Sequence, residues 1–469
     1  MASVTTRPRG PKNLPVIGNL YPFRSNPLAF IRKAHSEYGD LVYFRVVSQH
    51  LYLVCHPDLV REILVTNQNN FVKSRALQRA KILLGEGLLT SEGQHHLRQR
   101  RLVQPAFHRE RLAGYAAAMS ECAVRARERW QAGAMDVSVE MAQLTLSVVA
   151  KTLFSADIES EAPEIGAAMT SILQLFKVLL MPFSEYLDKL PLPSVRRFER
   201  ARARLDATIY GLIRERRQSG RDAGDLLSML LLAQDEAEGG EMTDEQVRDE
   251  AMTLFLAGHE TGANALTWTW YLLAQHPEIE RRLHQEVDAV LGGRPPELAD
   301  LPNLRYAEMV LSEALRLYPP AWAIGRRALA AFQLGDYEIP AGSICIASPF
   351  VVQRDARWFP EPDKFDPERW TPEAREARPK FSYFPFGGGA RVCIGERFAW
   401  MEGVILLAAI AQKWQFRLAP GQIAEPLPLV TLRVKNGLRM TAEPRSPALG
   451  SKVDAQQEHD AGRLPAAHR

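Results

Sequence analysis

At 469 residues with 46% apolar content, the chain is long enough to bury a large core. A net charge of +3 is too mild for a nucleic-acid partner. Four cysteines without a CxxC pair, Cys55, Cys122, Cys345 and Cys393, argue against a zinc ribbon and a disulfide scaffold.

Met1 to Gly10 is polar with two arginines, so neither signal peptide nor membrane anchor is expected and the chain reads as cytoplasmic. Pro8 to Asn19, punctuated by proline and glycine, is expected to run extended. Leu41–Val47 and Leu51–Cys55, split by Ser48-Gln49-His50, predict a β-hairpin with Cys55 in the core, and Pro57 opens a helix. Between Gly93 and Phe107, His96 and Arg100 are four apart and share a helix face. Spacing alone makes that face, with Arg98 and Arg101 nearby, a solvated basic surface. Residues 110–235 are helical in period. Leu175 to Phe183 within them reads as core or the lip of a channel, and Arg196, Arg200 and Arg204 as a solvated stripe.

A helix without proline is predicted from Asp244 to His276, opened by a Thr243–Gln246 capping box and closed by Pro277. It would span roughly 45–50 Å. At its middle lies Ala257-Gly258-His259-Glu260-Thr261. A glycine inside a helix costs about 1 kcal/mol relative to alanine. Small residues there leave room for a ligand against the helix wall, and an acid beside an alcohol suits a proton relay. An ordinary packed helix with a tolerated glycine explains the spacing equally well. Further on, Glu313 and Arg316 are placed for an intrahelical ion pair. Leu334–Ile346 predicts strand–turn–strand with bends at Gly335 and Pro340-Ala341-Gly342, making Cys345 another core thiol. After Gly395 a helix is expected to about Trp414. Residues 445–469 read as a disordered tail, leaving 1–444 as one domain with flexible residues 1–7.

The most informative stretch is Pro385-Phe386-Gly387-Gly388-Gly389-Ala390-Arg391-Val392-Cys393-Ile394-Gly395. A phosphate loop would end in Gly-Lys-Ser/Thr, and a cysteine phosphatase would carry an arginine where Ala399 stands. Three glycines let backbone pass close to a flat object and leave amide N–H groups free to face a sulfur. Arg391 supplies fixed positive charge suited to a carboxylate. A planar, acid-bearing cofactor with a metal that takes sulfur fits this loop, and haem is such a group. A buried inert thiol is the bland alternative.

Phe386-x-x-Gly389-x-Arg391-x-Cys393-x-Gly395 resembles the haem-binding signature of the cytochrome P-450 family at all five fixed positions. The resemblance extends over roughly residues 8 to 440 with its motifs in family order. It implies a mainly α fold with small β-sheets, in the α+β class, and one long helix over haem b. Cys393 would be the thiolate ligand, with Phe386, Gly387, Arg391 and Gly395 around the cofactor. His96 and Arg100 would hold one propionate, and Arg326, rather than Arg327, the other. The AGxET match implies oxygen against Ala257 and Gly258, with Glu260 and Thr261 delivering protons. Glu313, Arg316 and Arg369, the last in Phe365-x-Pro367-Glu368-Arg369-Trp370, would form a structural triad behind the cysteine loop. The family commonly has histidine where this chain has Gln353, a departure expected to touch a propionate or water contact.

The implied activity is monooxygenation of a hydrophobic substrate by O2. Electrons would come from a ferredoxin or flavodoxin with its NAD(P)H reductase, drawn to Arg98, Arg101 and Arg397, and the chain would be monomeric. Pocket residues placed by resemblance are Leu84, Leu88, Ala257, Ala321, Ala323, Ile324, Thr431 and Leu432. They suit a fatty acid, slightly preferred, or a terpenoid. A peroxide-using or isomerising haem-thiolate enzyme and a non-catalytic haem sensor are the rival readings; the Glu260–Thr261 pair argues against both.

Overall fold

The longest helix, Asp244–Gln275, begins as its sequence requires. Thr243 Oγ1 accepts from the Gln246 N–H at 3.2 Å, and Gln246 Oε1 accepts from the Thr243 N–H at 2.9 Å. Asp244 and Glu245 put negative charge on the positive end of the helix dipole. The helix stops where Pro277 removes the next donor and starts a new helix. Trp268 and Trp270 are fully buried along it, and Trp268 lies flat on Tyr318 with ring centroids 3.9 Å apart.

This computed structural model describes residues 7–445 except 159, 180–191 and 236–239. The expected flexible N-terminus before Arg7, the tail beyond Arg445 and the end of the Leu175–Phe183 run lie outside the described residues. Helices dominate the rest. Val137–Phe154 runs beside the long helix; it is long and apolar enough to cross a membrane, and most of it is packed in the core. A Cβ on Gly258 would come within 2.9 Å of Val149 on that helix. Gly258 therefore lets two helices approach, which corrects the expectation that its smallness faces a ligand.

Five strands form the main sheet, in the order Leu41–Val46, Gln49–Val54, Ile344–Ala347, Ile324–Ala328, Phe71–Lys73. The first two make the predicted hairpin with a tighter turn than expected: Val46 pairs with Gln49, so Gln49 and His50 belong to the ladder. The predicted Leu334–Ile346 unit is two structures. Phe332–Leu334 and Tyr337–Ile339 pair with each other, while Ile344–Ala347 joins the main sheet parallel to Gln49–Val54. Pro340-Ala341-Gly342 is thus a crossing between sheets. The helix after the cysteine loop ends at Ala411, and Trp414 opens a strand paired with Arg439–Pro444. Cys55 and Cys345 are fully buried as expected.

Candidate active site

Cys393 sits just before helix Glu396–Ala411, in a loop closed by its own N–H donating to Phe386 O at 3.0 Å. Gly387 and Gly389 have φ of 76° and 69°, left-handed values that favour glycine. A Cβ on Gly389 would lie 1.9 Å from the carbonyl oxygen of Leu64, and one on Gly388 2.7 Å from the Phe381 ring. The close approach that these two glycines permit is therefore to the protein behind the loop, and only in part the reason expected from sequence. Ala390 N–H donates to Gln68 Oε1 at 2.7 Å, and Phe386 packs on Trp400. The loop is braced from its outer side.

Alone among the four cysteines, Cys393 is exposed. It is nonetheless hemmed in by protein, and burial pushes its thiol up to about 11, against a hydrogen bond from the Gly395 amide and the charge of Arg100. A reachable sulfur facing an amide and a guanidinium is suited to work as an anion once metal-bound. Arg100 is tied to the loop directly, donating to Val392 O at 2.9 Å.

Around it the structure gathers basic side chains without matching anions. His96 and Arg100 come from helix Gly93–Val103, Arg326 from Ile324–Ala328, and Arg391 from the loop. Lys73 joins them because Phe71–Lys73 pairs with Ile324–Ala328 so that Lys73 lies opposite Arg326. Like charges directly opposite in a sheet repel. One carboxylate, Glu92, offsets them by pairing with Arg391 and accepting the Lys73 backbone N–H at 2.5 Å. Burial pushes Lys73 well below the usual lysine range, and Arg326 and Arg391 add to it. Burial and the same neighbours take His96 down to about 3, and Arg326 falls to about 10. Arg391 Nη1 is buried without a hydrogen-bond partner. Such a cluster fits a ligand that brings two acid groups, as haem does with its propionates.

The family model described as Cytochrome P450 matches residues 8–438. The chain is a cytochrome P450. It is 44% identical to cyclooctatin synthase of Streptomyces melanosporofaciens over 93% of this chain and 95% of that one. Identity is 38% to cyclooctat-9-en-7-ol 5-monooxygenase of the same species, covering 88% and 90% of the two chains. Pentalenene oxygenase of Streptomyces avermitilis is 37% identical, with 93% and 97% covered. A solved structure, retinoic acid bound cyanobacterial CYP120A1, superposes with a TM-score of 0.84 at 27% identity, over 94% of this chain and 99% of that one. The expected fold and activity class hold: this P450 is a haem-thiolate monooxygenase that uses O2 and electrons from separate redox partners.

Behind the loop, Glu313 and Arg316 are fully buried and joined by two bonds of 2.8 Å. Arg369 Nε lies 3.4 Å from Glu313, and Trp370 Nε1 donates to Glu313 at 2.9 Å. Arg316 spends its remaining donors on the carbonyls of Gln353, Pro362 and Lys364. Gln353 itself donates to Leu315 O and Arg316 O and accepts from Phe384 N–H. It therefore links the Arg316 helix to the start of the cysteine loop. Its side-chain bonds go to backbone of that helix and loop, and none goes to a cation of the Arg326 cluster.

On the long helix, Thr261 Oγ1 donates to Ala257 O at 2.6 Å. Glu260 turns elsewhere: Arg433 lies 3.0 Å from it, Thr431 donates at 2.8 Å and Asn264 at 3.1 Å. Neighbours i and i+1 on a helix do not share a face, so the acid and the alcohol have separate partners. Thr431 consequently belongs to the Glu260 network, and fully buried Leu432 packs in the core beside the main sheet rather than on open space. Of the other pocket candidates, Ala257 is exposed, Ala321, Ala323 and Ile324 are half-buried, and Leu84 and Leu88 are buried.

The segment carrying those two leucines is held by three consecutive side chains of the long helix. Arg248 donates to Leu83 O, Asp249 accepts from Glu86 N–H and Glu250 from Leu88 N–H. Gly85, with φ 53°, and Gly87 would place a Cβ 1.9 Å from Asp249 and 2.3 Å from Thr253. Lys73, Glu92, Arg433 and this clamp were not identified from the sequence. Each depends on a pairing between distant segments; only the Gly85-x-Gly87 spacing hints at a close approach.

Proposed function

We propose that this P450 binds haem b through the thiolate of Cys393 and oxidises a cyclic terpenoid. The single observation that carries the cofactor assignment is the gathering of Lys73, Arg100, Arg326 and Arg391 around Glu92 beside the only exposed cysteine. Lys73, His96, Arg100, Arg326 and Arg391 would receive the two propionates. Bound haem supplies O2 activation, its thiolate favouring O–O cleavage. The chain's own residues bind and orient the substrate and handle protons. Thr261 keeps a proton at Oγ1, now given to Ala257 O; Glu260 would serve it by exchanging its contact with Arg433. Glu313, Arg316 and Arg369 hold the core behind the ligand loop.

The relatives' names speak of cyclooctatin, cyclooctat-9-en-7-ol and pentalenene. They turn the balance from the fatty acid slightly preferred on sequence to a terpenoid. Ala257, Ala321, Ala323 and Ile324 are the apolar positions proposed against it, with Leu84 and Leu88 above. Electron supply is proposed from a ferredoxin or flavodoxin with an NAD(P)H reductase. Arg397 is exposed just after the cysteine loop, and exposed Arg101 follows Arg100, which is bonded to that loop. A monomer in the cytoplasm completes the proposal.

The test is an optical titration of the purified ferric protein with cyclic terpenoids and a fatty-acid series. A low-to-high-spin shift with terpenoids alone is expected. A shift that sharpens at one fatty-acid chain length would overturn the substrate class, and absence of a Soret band would overturn the role of Cys393.

A further inference from the structure

One and two turns before Ala257, the long helix buries polar atoms that have nothing to bond. Glu250 is fully buried and Thr253 nearly so. Glu250 Oε2 accepts from Leu88 N–H at 3.0 Å, but its Oε1 has no hydrogen-bond partner, and neither has Thr253 Oγ1. Leaving a buried polar group unpaired is costly.

Thr253 differs from the other threonines around it. Thr145, Thr152, Thr261, Thr267 and Thr269 each donate to the carbonyl four residues back, at 2.6 to 2.9 Å. That is the local way for a helical threonine to close its hydroxyl. Thr253 makes no such bond to Asp249 O. Gly87 lies over both groups, where a Cβ would come within 2.3 Å of Thr253 Oγ1 and 2.5 Å of Asp249 O.

Glu250, Thr253, Ala257 and Thr261 follow one another at steps of three and four, so they share one face of the helix. Ala257 is exposed on that face. Neighbouring faces are taken, by Val149 against Gly258, Glu402 against Gly262 and Arg433 against Glu260. The unpaired atoms thus sit on the face proposed to meet substrate, at its Leu88 end. Thr253 lies about 12 Å along the axis from Thr261.

Chemistry narrows the occupant. Burial takes Glu250 up to about 8, so at neutral pH its free oxygen has a proton to give. Thr253 can accept or donate. A hydroxyl group accepts and donates, and so satisfies both. A carboxylate is unsuited. The only Lys or Arg residues in Lys81–Leu88 and Asp244–Ala257 are Lys81 and Arg248. Lys81 is spent on Glu86, and Arg248 on Asp206, Asp249 and Leu83 O.

We infer that Glu250 and Thr253 receive a hydroxyl group that the substrate already carries. The inference rests on the terpenoid reading above and deepens it: a reaction that installs a hydroxyl must come before this one. A hydroxyl held at Thr253 leaves the far end of the skeleton beside Thr261.

The test is a spin-shift titration of the holoprotein with one skeleton in three forms: cedrane, cedrol and cedryl methyl ether. Cedrol should bind at least ten-fold more tightly than either of the others. Thr253→Val keeps the shape and breaks no bond; it should cut that preference below three-fold, leave cedrane binding unchanged and keep or raise the melting temperature. Glu250→Gln retains a donor and an acceptor and should hold the preference within three-fold of wild type. Equal affinity for the three forms, with shifts present, overturns this inference alone, because a water would then close the two groups. A cedrol preference that survives Thr253→Val overturns it as well. No shift with any form, while a fatty acid gives one, overturns the terpenoid reading and this inference with it.

Discussion

Two buried charge clusters lie on either side of the cysteine loop and differ in how their charges close. Around Glu313 the carboxylate is fully engaged: it takes Arg316, Trp370 and the Asp366 N–H, Arg369 lies 3.4 Å away, and Arg316 gives the rest of its donors to carbonyls. Around Arg326 the charges are not matched: Lys73, Arg100, Arg326 and Arg391 gather around Glu92, and burial with their charge holds His96 beside them down to about 3. Burying a charge without a partner is costly. The first cluster is finished by the chain, while the second is finished only by what it binds. A fold that tolerates the second kind marks a binding site more clearly than a motif does.

The contrast can be broken most severely at the closed cluster. Arg316→Ala would leave Glu313 buried without its main partner, a loss of about 3–5 kcal/mol. Calorimetry should show a large drop in melting temperature, together with poor haem retention. Full haem content and normal melting would remove the triad assignment. At the open cluster the sign should reverse. Lys73→Met deletes a repelling charge, so the cofactor-free protein should gain up to about 1 kcal/mol while haem affinity falls. If both quantities fall together, the cluster is structural like the first.

A third buried group sharpens the comparison through pH. Burial takes Glu250 up to about 8, against the Leu88 N–H bond. A carboxyl whose folded pKa is raised contributes stability that is complete below its unfolded value near 4.5 and is lost as pH rises through about 8. Glu402 carries the same sign, also at about 8. Glu250→Gln should therefore match the wild type at pH 5 and melt a few degrees higher at pH 9. Parallel pH curves would mean that Glu250 titrates normally. The smallest effect on stability, under about 0.5 kcal/mol, is expected from Thr261→Ala, which touches neither cluster. Its readout is coupling: substrate should still bind, and peroxide should take up several-fold more of the reductant. Unchanged coupling would rule out the Thr261 proton role.

What the sequence made legible follows from distance along the chain. The capping box at Thr243 and Gln246, the Glu313–Arg316 pair and the cysteine loop are local patterns, and each appears in the structure where local chemistry puts it. Lys73 has no local signal, since only strand register sets it opposite Arg326. Gln353 was given a place near a propionate or water contact because of what relatives carry there. Its three hydrogen bonds go to a helix end and a loop start that no spacing rule connects. Gly258 was read against a ligand because a helix pattern shows which residues are small, not which neighbour uses the room; Val149 does. Glu260 and Thr261 look like one unit in the sequence and have separate partners in space.

The loop that carries Cys393 also carries Arg391, two residues earlier, and is pressed from behind by Leu64 and Gln68. The proposed contact for a metal and the proposed contact for an acid group would thus be cut from one short piece, at most about 7 Å of chain apart. A machinist would call that piece the datum. Positional error in Lys73, His96, Arg100 or Arg326 shifts one contact at a time. Error in the loop would move two together and preserve their spacing, so the proposed grip on a rigid planar group would tolerate drift in the rest of the fold.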